Sequence, residues 1–189
     1  MVPSAVFNEA IIVITILAFR TLVLRTPREK LPGSFRYFTV LSNLFCALTA
    51  LILLLCELWG AMPAWAVTLK YVGTAAVTVT FLTVFLFLLP MSKTINGLLS
   101  NPPERTMHLY TPVLAILSFL CFEKGELSAW IIPLGLLPVA LYGGVYLERV
   151  ILSGAWEDLY GFNRNGKWKQ SFVCMILGAA AVAVLLCAL

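Results

Sequence analysis

One stretch of this chain places polar groups where an apolar helix should begin. "RYFTVLSNLFCALT" (Arg36 to Thr49) carries Thr39, Ser42, Asn43 and Cys46 at i, i+3, i+4 and i+7, and Thr49 continues the series. On a helix these positions share one face. A hydroxyl becomes a nucleophile when an imidazole takes its proton. The chain has one histidine, His108, and it also lies inside an apolar block. The chemistry these types suggest is acyl transfer to a threonine or serine oxygen. Asn43 would orient a group or donate to an oxyanion. From spacing alone Thr39 and Ser42 are equal candidates for the nucleophile. The competing reading is helix–helix adhesion, because Ser, Thr and Asn commonly hydrogen-bond across membrane interfaces.

The elements that must position these residues follow from hydropathy. Of 189 residues, 61% are hydrophobic and 12% charged, and the apolar residues fall in long blocks. That excludes an ordinary soluble domain. The expected fold is all-α: a single domain, 1–189, forming a six-helix transmembrane bundle. Spans are expected at about 5–25, 35–57, 64–90, 102–122, 129–151 and 170–188. The N-terminus lacks a basic n-region, and Glu9 precedes the first apolar run, so that run is read as a retained span. The third block is long, and Lys70 is expected to mark its outer interface by snorkelling. Ser34 is expected to cap the second span, Pro63 to start the third, and Ser100 or Asn101 to cap the fourth.

Charge sets direction. Eleven of the 13 Lys and Arg flank the first, third and fifth connections, Lys93 and Arg105 among them; only Lys70 and Lys124 lie on the other side. The positive-inside rule makes those connections cytoplasmic and both termini external, N-out/C-out. The net charge of +4 is thereby explained without nucleic acid. The implied home is a membrane, and the implied partners are membrane lipids. Five scattered cysteines without a C-x-x-C pair, and one histidine, predict neither a metal site nor a cofactor.

Direction also brings candidates level. The second and fourth spans both run from the cytoplasmic side outward. Counted from their expected caps, Thr39 and His108 differ in depth by roughly 3–5 Å at 1.5 Å per residue. Pro112, four residues after His108, cannot donate to the His108 carbonyl and can bend the helix there. The fifth connection, "GAWEDLYGFNRNGKWKQ", lies on the same side. It reads as an interfacial belt of aromatics and cations. The other reading is a cap over a cavity, lined by Trp156, Asp158 and Tyr160 with Tyr142 and Tyr146 of the fifth span. Asp158 would then steady a cation or the imidazole. Gly143 and Gly144 would permit close helix approach. Thr74, Thr78, Thr80 and Thr83 of the third span read as packing residues.

"GSFRYFT" (Gly33–Thr39) and "MHLYTPVLAILSFLCFE" (Met107–Glu123) resemble segments of the androgen-induced membrane hydrolase family. Its members are multi-span hydrolases of fatty acid esters of hydroxy fatty acids. The resemblance implies Thr39 as nucleophile and His108 as its base, and it favours Thr39 over Ser42. Leu109 and Tyr110 depart from the family pattern. The expected function is an intramembrane hydrolase of lipid esters acting near the cytoplasmic side. A distant relative with a cysteine nucleophile makes acyl transfer on the same site an alternative. A non-enzymatic membrane protein, a small transporter or an interaction partner, is the other.

Overall fold

The computed structural model describes residues 3–92, 99–125 and 127–189. Lys93, counted above among the cytoplasmic cations, lies outside the described residues. Six helices are long and apolar enough to cross a membrane: α1 (Pro3–Arg25), α2 (Phe38–Leu58), α3 (Ala64–Leu88), α4 (Pro102–Glu123), α5 (Ala129–Leu152) and α6 (Trp168–Ala188). No strand occurs among the described residues. The chain is an all-α integral membrane protein.

The bundle is organised around α3. Every residue from Lys70 to Thr80 is buried, and α3 packs against α2, α4, α5 and α6. Its sequence suits a hub. Small residues at Gly73, Ala75 and Ala76 let neighbours approach closely. A Cβ on Gly73 would sit 2.3 Å from Thr49 Oγ1 and 3.3 Å from the Cys46 Cα. A Cβ on Gly135 of α5 would meet the Tyr71 hydroxyl at 2.7 Å, and that hydroxyl donates to the Ala183 carbonyl of α6. Outward faces carry exposed apolar residues such as Ile16, Leu48, Leu141 and Leu177, as lipid contact requires.

One expectation about helix ends is corrected. Ser34 does not cap α2; it ends a separate one-turn helix, Leu31–Ser34, which Pro32 starts early. The N-cap of α2 is Tyr37, with no side-chain cap, so Thr39 is only the second helical residue. Asn101 does occupy the N-cap of α4, with prolines in the first turn, and Pro63 that of α3.

Lys70 is the larger correction. It does not snorkel at the outer interface. It is fully buried, because α3 is enclosed on all sides and its side chain has no path to a headgroup layer. Lys70 Nζ donates to Asn8 Oδ1 at 2.5 Å and lies 3.7 Å from Glu123 Oε2. Glu123 Oε1 accepts from Ser4 (3.0 Å), Asn8 (2.6 Å) and Ser118 (2.6 Å). Three donors converge on one carboxylate oxygen, and the other faces Lys70 without a hydrogen bond among the described residues. This lock ties α1, α3 and α4 at the end of the bundle away from the cation-rich connections.

Candidate functional site

Thr39 sits where backbone geometry is held from outside the helix. Just before it, the Arg36 carbonyl accepts from the Tyr142 hydroxyl at 2.6 Å, and the Phe38 N–H donates to Tyr160 Oη at 2.9 Å. The first amides of a helix have no intrahelical partner. α2 lacks a side-chain cap of its own, and a tyrosine of the fifth connection supplies the acceptor. Burial pushes the Tyr160 phenol up from its usual range. It is opposed by the Phe38 amide, the Tyr142 hydroxyl, and the amide and hydroxyl of Thr39, which all favour the phenolate. Thr39 and Tyr160 are therefore neighbours at the positive end of the α2 dipole.

Both residues open on one cavity. It is walled by Phe38 and Thr39 of α2, Val79, Thr80, Thr83, Val84 and Leu88 of α3, Val139 and Tyr142 of α5, Tyr160 and Phe162 of the connection, and Met175 of α6. The cavity is small, about 30 Å³, and its wall is almost wholly apolar. Ser42 and Trp156 face an adjoining cavity beside Phe35, Phe45 and Pro138.

His108 is 9% exposed and lies on a π-turn, Thr106–Tyr110, within α4. It is not part of the described lining of the Thr39 cavity. A side chain of α2 nevertheless reaches its neighbourhood. Asn43 Nδ2 donates to the Thr39 carbonyl at 2.8 Å and to the Met107 carbonyl at 3.0 Å. Thr39 and the residue before His108 thus share one donor, which places α2 against α4 at this level.

Pro112 explains why Met107 is available, and it shifts the expected free acceptor by one residue. The Thr111 amide bonds to Thr106 in the π register. In that register the donor for Met107 would be residue 112, and proline has no N–H. Asn43 fills the vacancy. Both of its amide protons are thereby engaged on backbone, and its Oδ1 is buried without a hydrogen-bond partner among the described residues. Asn43 holds backbone in place; it has no proton left for an oxyanion.

Ser42 bonds to Thr80 at 2.8 Å and to the Thr39 carbonyl at 3.2 Å, a link between α2 and α3. Asp158 does not steady the imidazole or a cation. Its Oδ1 accepts from the Tyr146 hydroxyl and the Phe162 amide, and its Oδ2 from the Asn163 amide. Three donors from its own loop and from α5 consume the carboxylate, so Asp158 shapes the connection that carries Tyr160. Tyr146 is fully buried beneath that loop and also receives the Tyr160 amide at 3.3 Å. Trp156 lies under the Arg36 guanidinium, 5.3 Å from the ring centre. The connection is thus a cap whose aromatics reach the cavity. Gly143 lies against the flexible end of Met175, while Gly144 faces open space and permits no helix contact.

No group of three metal-ligating side chains occurs among the described residues. The residues that sequence reasoning missed are Ser4, Asn8, Ser118 and Glu123. One signal was there to read: Ser4 and Asn8 are one turn apart on one face of α1, and Lys70 needed an anion. Comparison with protein families, curated proteins and solved structures finds no match for this chain.

Proposed function

We propose that this chain is an intramembrane hydrolase of lipid acyl esters, acting near the cytoplasmic face of a bacterial inner membrane. Thr39 attacks the acyl carbonyl, and His108 takes its proton and returns it to the departing alcohol. Water then releases the acyl group from Thr39. The observation that carries this reading is the placement of Thr39. Thr39 lies in the first turn of α2, at the positive end of the helix dipole, and borders an apolar cavity. Asn43 supports the pairing with His108 by holding the Thr39 and Met107 carbonyls together.

A non-enzymatic reading has one observation in its favour. Ser42, Asn43, Thr49 and Thr80 all spend their donors on neighbouring backbone or on each other, as adhesive residues do. Transfer of the acyl group to an alcohol other than water uses the same residues and is separated by product analysis. A fluorophosphonate probe on the purified full chain tests the proposal. Wild type should label, Ser42→Ala should label, and Thr39→Ala and His108→Ala should not. Folded wild type that stays unlabelled would sink the hydrolase reading. Loss of labelling in Tyr160→Phe with retention in His108→Ala would move the base to the tyrosine.

A further inference from the structure

Beside the Thr39 cavity lies a larger groove between α3 and α6, with a volume of about 490 Å³. That lies within the roughly 300–1,000 Å³ of an ordinary small-molecule pocket. Its floor is apolar: Leu82 and Leu86 of α3 face Gly178, Ala179 and Val182 of α6. Its mouth is polar and cationic, formed by Arg164, Asn165, Lys167, Gln170 and Ser171. No acidic residue lines it among the described residues. Neither Arg164 nor Lys167 has an ion-pair partner among them. Along α6 the lining runs from Gln170 to Val182, about 18 Å at 1.5 Å per residue. That is close to the depth of one leaflet of a hydrocarbon core about 30 Å thick.

A trench one leaflet deep, apolar below and cationic at the rim, matches an amphiphile with an anionic head. We propose that it seats one anionic glycerophospholipid. The phosphodiester sits against Arg164 and Lys167, and an acyl chain runs along Leu82, Leu86 and Val182. The rim lies at the cation-rich end of the bundle, which faces the anionic cytoplasmic leaflet under the positive-inside rule. A second copy of the chain is a poor occupant. In the same membrane its cation-rich end would lie at the same level and meet Arg164 and Lys167 with like charge. Gly178 keeps the trench open, since a Cβ there would meet nothing within 4 Å. Val79, Thr83, Leu88, Tyr160, Phe162 and Met175 wall both this groove and the Thr39 cavity, so the seated lipid lies alongside it. The seat does not depend on Thr39 being a nucleophile.

Native mass spectrometry of the full chain tests this, after equilibration in detergent with equal phosphatidylglycerol and phosphatidylcholine. One phosphatidylglycerol should be retained per chain, preferred at least about fivefold over phosphatidylcholine. Arg164→Glu with Lys167→Glu, both at exposed positions, should abolish the preference. Gly178→Leu should lower retention of both lipids. Gly144→Leu, which points into open space on α5, should change neither and controls for folding. Equal retention of the two lipids by wild type overturns the proposal, as does a preference that survives the charge reversal. A dimer without lipid, abolished by Gly178→Leu, would make the groove a self-association face instead. Because the readout is binding, it can succeed or fail independently of probe labelling at Thr39.

Discussion

The two ends of this bundle handle buried polarity in opposite ways. At the end away from the cation-rich connections Lys70, Glu123, Asn8, Ser4 and Ser118 close on one another, and the charges cancel inside the protein. At the cation-rich end Tyr142 and Tyr160 bond to backbone at the start of α2, and with Thr39 these residues line an apolar cavity. A closed network rigidifies helices and leaves no group for a ligand. The other borders space that something else can occupy. Lys70 carries the charge, while the uncharged Thr39 borders the cavity.

Breaking the Lys70–Glu123 network should give the largest effect. Lys70→Met leaves the Glu123 carboxylate buried without its cation and should cost about 3–5 kcal/mol, read as unfolding in mixed detergent and dodecyl sulfate. Lys70→Met with Glu123→Met should recover much of that loss. If the double variant is no better than the single, the pair is not coupled. Next comes packing between the two ends. Gly73→Ala forces a Cβ onto Thr49 Oγ1 and should cost about 1–3 kcal/mol. Adding Thr49→Ala should relieve part of this, measured as the thermal midpoint in detergent.

The cavity end should respond weakly in stability and strongly in chemistry. Tyr160→Phe removes the acceptor of the Phe38 amide and should cost about 1 kcal/mol. It should also speed hydrogen exchange in the first turn of α2. The smallest stability change, under about 1 kcal/mol, is expected for Thr39→Ala, with loss of probe labelling. If Thr39→Ala destabilises as much as Lys70→Met, the contrast between the ends fails and Thr39 is a packing residue.

The bundle was legible because spans announce themselves by length and apolarity, and all six lie within a few residues of their expected limits. The inward stripe was legible from periodicity: of Thr39, Ser42, Asn43 and Cys46 at i, i+3, i+4 and i+7, the last three are buried, as is Thr49 beyond them, while Thr39 at the helix start is half-buried. Lys70 was misread because hydropathy is a one-dimensional sum. It cannot tell a helix on the rim from one at the centre, and only the central position of α3 denies Lys70 its route to water. The role of Asp158 was hidden for a related reason. Its donors are backbone amides four and five residues ahead and a tyrosine on α5, a loop geometry without periodic signature. The free carbonyl near Pro112 was foreseen, but the π-turn moved it from His108 to Met107.

The bond from the Phe38 amide to Tyr160 also carries a timetable. Its partners are 122 positions apart in the chain. During synthesis the second span leaves the ribosome long before Tyr160 exists, so its first turn waits with an unmet amide while three more spans are made. A chain interrupted before the fifth connection therefore has Thr39 but not the pocket around it. Assembly of the pocket waits for the fifth connection, and copies that stop short of it are born without the pocket.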